Sequence, residues 1–583
     1  MFGTLCAEAP KGSFMNIVFN PIYEPIESIL EFAKTVKVKH ADKCAFKYFN
    51  SKKEIIEMSY SDFSDNTLAL GAAFSSMELK GKRIAIVGES CPEWVMSYVA
   101  TLSIGSIAIP LDKELAVDEL FNFLAISEAN AIVFTKSFCA KFKEKILSSD
   151  NEMIYIPIDC EDEELISTKN VVLFKDVLEN GKKQISDGFT HSEYTVNNDM
   201  REMLFTSGTT GTSKCVMLSE KNVISCVNSA VATVDFSKED VLVSVLPRHH
   251  TYELAVMIAA LSLGATVCIN DSLKYVLKNF KLFKPTGLIL VPLFVNTMYK
   301  KIMDEAKKTG QLKKMQLGLK LSSGLRKVGI DVRKKLFGQI LEAFGGNLTK
   351  IVCGGAALNP DYAETFEKFG VNIYEGYGIT ECSPLISVNP FTAPKRGSVG
   401  PTVPSCEVII DGTTTNSKGF AEGEILVKGD NVMLGYYKNE EATRDVFTDD
   451  GYFRTGDIGY MDNDGYIYIT GRKKSVIVLE NGKNVFPEEI EEYLSNIDTI
   501  AESVVVGRKD GENVILTAII YPAFDKFEKG TDINDIADNI KSSVNTMNKK
   551  LPSFKQVRNI ELRQTEFEKT TSRIIKRFLV KKI

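Results

Sequence analysis

Residues 81–112 read GKRIAIVGESCPEWVMSYVATLSIGSIAIPLD. The stretch opens on a short apolar run, continues through PEWVMSYVATLS with apolar residues at helical spacing, and closes on a second strand-like run. Strand, helix and strand within about thirty residues is β-α-β grammar. It recurs outward at Ala131-Ile-Val-Phe134, at Asp240-Val-Leu-Val-Ser-Val-Leu246 with a helical stretch after Glu253, and at Thr286-Gly-Leu-Ile-Leu-Val291. Continuous apolar runs of this kind belong to parallel strands buried on both faces. After about Pro401 the texture changes to short alternating runs with Gly and Asp turns, such as EILVK at 424–428 and DGYIYI at 464–469, which read as antiparallel strands. Past Arg472 comes a smaller unit. It holds the apolar run 475–479, a turn at Asn481-Gly482, a helix opened by Pro487, strands near Val504 and from Val514 to Tyr521, and a helix from about Ile533 to Lys550 with Ile536, Ile540 and Val544 on one face. The expected architecture is α/β: a large N-terminal region (1–472) of layered parallel sheets and helices with an antiparallel β subdomain at about 400–472. A small α+β C-terminal domain (475–583) follows, joined at 473–474.

A chain of 583 residues exceeds what one core holds, so several domains are expected. The 44% hydrophobic and 25% charged residues are ordinary for globular chains and argue against extensive disorder. The net charge of −6 offers no global field for nucleic acid. Basic residues do gather at the end (Lys569, Arg573, Lys576, Arg577, Lys581, Lys582), and they read as a solvated terminus. Eleven cysteines without a CxxC pair point to a reducing compartment, and with four histidines they make a structural zinc site an unpromising reading. No signal segment or run of about eighteen apolar residues appears, so the expected location is the cytoplasm, with membrane contact peripheral at most.

The chemistry starts at Leu204, where an apolar entry runs into Thr206-Ser207-Gly208-Thr209-Thr210-Gly211-Thr212-Ser213-Lys214. Glycines let backbone N–H groups approach phosphate oxygens, hydroxyls donate further hydrogen bonds, and Lys214 adds a positive charge. A nucleotide-binding P-loop fails here. Aligning its first glycine with Gly208 puts Ser213 at the second glycine and Cys215 at the magnesium hydroxyl.

This loop heads an ordered series that resembles the adenylate-forming enzymes, which include acyl-CoA synthetases, peptide-synthetase adenylation domains and luciferases. The series continues with LPRHHTYE at 246–253, GGA at 354–356, YGITE at 377–381, GEILVKGDNVMLGYYKNEEAT from Gly423, YFRTGD ending at Asp457, GRKKS from Gly471 and PEEIE at 487–491. The resemblance implies that Thr206 through Lys214 grip the phosphates of ATP and that His250 lies beside the carboxylate and acyl tunnel. Gly354, Gly355 and Ala356 would let adenine and the acyl group come close. Tyr377 would stack on adenine, Thr380 would hydrogen-bond the α-phosphate, and Glu381 would hold magnesium. Asp457 would accept from the ribose hydroxyls, Arg472 would support ribose and phosphate, Gly482 would line the pantetheine channel of CoA, and Lys474 would be the hinge of the small domain.

The family's closing lysine loop has the form TSTGKIKR. The matching residues here are Thr570-Thr-Ser-Arg-Ile-Ile-Lys-Arg577, with Ile574 in the lysine position. Isoleucine can neither donate a hydrogen bond nor offset negative charge. Arg573 or Lys576 supplies the cation after a small loop shift, or adenylation is slow while thioester formation persists; the longer arm favours Arg573. Resemblance to the long-chain branch, in LPRHHTYE, NGKNVFPEEIE and 332–346, implies a long-chain fatty acid:CoA ligase using ATP, Mg2+ and CoA. Two other readings stay open. One is an acyl-AMP ligase that loads a carrier protein. The other is a weakened acyl-adenylate or nucleotide-binding protein, motivated by Ile574. Chain length and oligomeric state are left undetermined.

Overall fold

The computed structural model describes residues 24–149, 151–206, 214–479, 484–510, 513–570 and 575–580. The apolar runs form the strands expected of them, including Arg83–Val87, Ala131–Thr135, Val241–Ser244 and Gly287–Leu290, each almost wholly buried. They are distributed over two large sheets. One has seven strands, in which Ile107–Pro110, Arg83–Val87, Ala131–Thr135 and Ile154–Ile158 run parallel beside Met200–Thr206. The other has eight, with a parallel centre and an antiparallel strand at each edge. Helices on the sheet faces close the main core, which includes Trp94, Tyr98, Phe63 and Phe74.

The alternating segments after Pro401 form a four-stranded antiparallel sheet of Cys406–Thr415, Ala421–Gly429, Phe453–Met461 and Ile467–Arg472. Beyond it, Ile500–Asp510, Asn513–Pro522 and Asn559–Leu562 form a three-stranded sheet. The helix Ile533–Asn548 turns Ile536, Ile540 and Val544 into a separate core with Ile490 and Leu494. The run expected as a strand at 475–479 contributes only Ile477–Val478, paired antiparallel with Asn484–Val485; the turn between them falls outside the described residues. Among the described residues the small unit meets the large one at several side-chain contacts, and the Asn359 amide donates to Asn496. Lys307 pairs with Asp498 at 2.8 Å and Lys526 with Asp304 at 2.7 Å. Phe486 lies against Gly471, where an added Cβ would sit 2.5 Å from the ring.

The basic C-terminus differs from the solvated end expected. Arg577 is ion-paired with Glu491 and Lys569 with Glu502, all four side chains largely sheltered, so this part of the tail is stapled onto the small unit's sheet and helix. Among the described residues no helix is long and apolar enough to cross a membrane.

Candidate functional site

The strands Met200–Thr206 and Lys214–Ser219 pair antiparallel with Thr206 opposite Lys214, and the Thr206 hydroxyl donates to the Lys214 carbonyl at 3.3 Å. The hydroxyl-rich segment is therefore flanked by two antiparallel neighbours of the seven-stranded sheet. Its residues Ser207, Gly208, Thr209, Thr210 and Gly211 lie outside the described residues, as do Gly482 and Arg573 with its neighbour Ile574. Lys214 places its ammonium 4.2 Å above the ring of Tyr436. Tyr436 belongs to the two-residue strand Gly435–Tyr436, which extends the same sheet beside Lys214–Ser219. Its hydroxyl donates to Glu381 Oε1 at 2.9 Å, and the Glu381 carbonyl accepts from the Met433 amide at 2.8 Å. A cavity of about 290 Å³ opens beside Lys214 and Tyr436, walled further by Phe123, Phe205, Cys215 and Tyr437.

A second group forms where the eight-stranded sheet meets the antiparallel one. Tyr377 lies in the strand Asn372–Gly378, four residues before Glu381, and its buried hydroxyl donates to Asp457 Oδ2 at 2.7 Å. Asp457 sits directly opposite Arg472 in the pairing of Phe453–Met461 with Ile467–Arg472, and Arg472 Nε is 3.0 Å from Asp457 Oδ1. Burial pushes the Asp457 carboxyl above its ordinary range, against the opposing pull of Arg472 and Tyr377. The carboxylate is thus held by a neutral donor on one side and a cation on the other. Arg472 itself remains 57% exposed and able to turn toward a ligand.

Gly354, Gly355 and Ala356 follow the strand Lys350–Cys353 at its carboxyl end, the position where parallel sheets offer ligand crevices. A Cβ on Gly354 would meet the Gly376 carbonyl at 3.1 Å and the Tyr252 hydroxyl at 3.5 Å, and Gly355 has φ +87°. Both positions therefore need glycine for physical reasons. Tyr252 belongs to the helix Thr251–Ser262, whose N-cap is His250, so the histidine segment is brought beside the glycine strip. Among the described residues His250 Nε2 is buried with no hydrogen-bond partner, and burial lowers its pKa to about 4, so the ring is neutral near pH 7. The His249 ring is centred 4.2 Å from it, tilted by 43°, and lies 3.5 Å from Asp112, with its pKa also lowered by burial.

The structure thus gathers Lys214 with Glu381, Tyr377 with Asp457 and Arg472, and the His250 segment with Gly354. Thr380 is half-buried beside Glu381, and Lys474 is exposed in the turn after Arg472. Tyr436 and Tyr252 were not assigned roles from the sequence. Both lie inside quoted motifs, but side-chain direction depends on sheet and helix placement. Among the described residues no three His, Cys, Asp or Glu side chains cluster as a metal cage. Glu381 and Lys214 share Tyr436, which takes the ammonium over its ring and gives its hydroxyl to the carboxylate.

Layered parallel sheets, an antiparallel sheet that supplies the paired Asp457 and Arg472, and a small α+β unit beyond them define an adenylate-forming scaffold. The chain belongs to the AMP-binding enzyme family: residues 32–437 match that family's model, and residues 474–582 match the AMP-binding enzyme C-terminal domain. Long-chain-fatty-acid–CoA ligase FadD15 of Mycobacterium bovis is 27% identical over 530 residues, which cover 86% of each chain. The long-chain-fatty-acid–CoA ligase of Bacillus subtilis is 29% identical over 507 residues, covering 81% of this chain and 82% of the relative. Among solved structures, the adenylation domain of a carboxylate reductase from Mycobacterium chelonae superposes with a TM-score of 0.78 at 20% identity, covering 96% of this chain and 90% of that one.

Proposed function

We propose that the protein is a long-chain fatty acid:CoA ligase. In its first step a carboxylate oxygen bonds to the α-phosphorus of ATP and pyrophosphate leaves. In its second the CoA sulfur, its proton released to solvent, bonds to the acyl carbon and AMP leaves. The observation that carries this reading is the Tyr377–Asp457–Arg472 chain at the sheet ends. A buried carboxylate fixed by a phenol and a guanidinium suits a ribose diol, and Arg472 has reach left for phosphate. Tyr377 and the glycine strip bound the adenine side, and Thr206 through Lys214 hold the phosphates. Thr380 bonds the α-phosphate, and His250, neutral at working pH, faces the acid. Glu381 suits Mg2+, which takes one or two protein carboxylates and completes its shell with phosphate oxygens and water. When bound, that ion offsets charge on the departing pyrophosphate. Gly482 gives the pantetheine arm room, and the large and small domains meet at 473–474 with Lys474 as hinge.

Incubation with ATP, Mg2+, CoA and fatty acids of rising length tests the reading, with pyrophosphate and acyl-CoA followed separately. Both products are expected. Pyrophosphate without acyl-CoA would move the acceptor to a carrier protein, and neither product would leave an adenylate-binding protein. For the closing loop, Arg573→Ala is expected to abolish acid-dependent pyrophosphate exchange, and Ile574→Lys to accelerate it.

A further inference from the structure

Three helices, Pro292–Lys308, Leu312–Arg326 and Arg333–Glu342, connect two strands of the eight-stranded sheet and share a small core of Ala306, Met315 and Phe337 with Phe369 of the next helix, Pro360–Phe369. The middle helix turns Met315 and Ser322 inward. Its opposite face is bare. Leu317 and Leu321, one helical turn apart, are 68% and 51% exposed, and just past the helix Val328 and Ile330 are 70% and 51% exposed. Single exposed aliphatics need no explanation, but four within fourteen residues, 317 to 330, do.

The charge around them is equally uneven. From Lys307 to Lys335 the chain carries ten Lys or Arg and one acidic residue, Asp331, within a protein whose net charge is −6. Lys307, Arg326 and Arg333 are committed to Asp498, Glu367 and Asp331. Lys313, Lys314 and Lys320 are exposed, and among the described residues they have no ion-pair partner. At about 100° per residue they fall within roughly 60° of Leu317 around the helix axis. Lysines therefore flank an aliphatic stripe on one face.

We propose that this face of Leu312–Arg326, with Val328 and Ile330, docks onto the surface of an anionic lipid bilayer. Aliphatic side chains enter the acyl boundary while the lysines meet lipid phosphates, the division of labour of an interfacial helix. A second copy of the chain fits poorly, because a two-fold contact would set the same lysines opposite one another. Nucleic acid would satisfy the lysines but leave the leucines, valine and isoleucine facing phosphate, and 307–335 contains no aromatic residue on which a base could stack. The inference does not depend on the reaction proposed above, since binding is read without ATP.

The test is co-sedimentation of the full chain with vesicles of phosphatidylcholine alone or with phosphatidylglycerol added. Binding is expected on the anionic vesicles, weakening as salt rises. Lys313→Glu/Lys314→Glu/Lys320→Glu is expected to weaken it roughly a hundredfold, and Leu317→Ser/Leu321→Ser by at least about tenfold. Hydrogen exchange on the unmodified protein gives a readout that needs no variant: amides of 312–330 should slow when anionic vesicles are added. Equal binding to neutral vesicles, no binding at all, undiminished binding by either folded variant, exchange unchanged at 312–330, or capture by RNA without vesicle binding would each overturn the proposal.

Discussion

Replacing Tyr436 by phenylalanine removes one oxygen and keeps the ring. In the structure that oxygen donates to Glu381 at 2.9 Å, while the ring supports the Lys214 ammonium at 4.2 Å. A hydrogen bond to a charged acceptor is worth about 1.5–3 kcal/mol. Because Glu381 is only half-buried, water recovers part of it, and about 1.5 kcal/mol is left, close to a tenfold effect. Tyr436→Phe is therefore expected to lower kcat/KM for ATP in acid-dependent pyrophosphate exchange about tenfold, with the thermal midpoint within a few degrees of wild type. The next residue supplies the control. The Tyr437 hydroxyl donates at 3.2 Å to Glu128, which also carries Lys438 and Arg83, so Tyr437→Phe should leave exchange unchanged. Wild-type exchange by Tyr436→Phe, or an equal loss by both variants, would refute the view that Tyr436 positions Glu381.

Three further outcomes are expected. His250 has a folded pKa of about 4 against an ordinary 6.5, so the folded state resists protonation and its stabilising contribution is lost as pH falls from 6.5 toward 4. Between pH 7 and pH 5 wild type should lose about 2 kcal/mol more than His250→Gln in urea unfolding. Gly354→Val places a branched side chain against the Gly376 carbonyl and Tyr252, which should cost about 1–3 kcal/mol in thermal unfolding and abolish exchange even below the transition. Gly181→Ala would put a Cβ 1.8 Å from the Ala69 backbone oxygen where two helices touch. It should lower the midpoint by several degrees yet leave exchange intact below it, separating packing damage from site damage.

What could be read in advance follows from which forces are local. Runs such as Arg83–Val87 and Ala131–Thr135 declare themselves because a strand buried on both faces has little room for polar residues. The ordered motifs likewise singled out Lys214, Tyr377, Glu381, Asp457 and Arg472, and the structure brings Tyr377, Asp457 and Arg472 into contact and joins Lys214 to Glu381 through Tyr436. That Tyr436 rather than Tyr437 would face Glu381 is set by a two-residue edge strand joining a sheet more than two hundred residues earlier in the chain. No local pattern encodes that. The opposition of Asp457 and Arg472 depends on a register that shifts between Ile458 and Gly459. The tail read as a solvated end because its partners, Glu491 and Glu502, are contributed by distant elements.

Gly471 marks a contact between the two units. It stands one residue before Arg472 and three before Lys474, and the ring of Phe486 rests where its side chain would be. The missing methyl acts as a seat: the small unit can lie down on the last strand of the antiparallel sheet only because nothing protrudes there. An alanine at 471 would behave as a wedge under Phe486, tilting the small unit at the spot nearest the Arg472 guanidinium. At this contact the approach of the two units is limited by a hydrogen atom and not by a side chain.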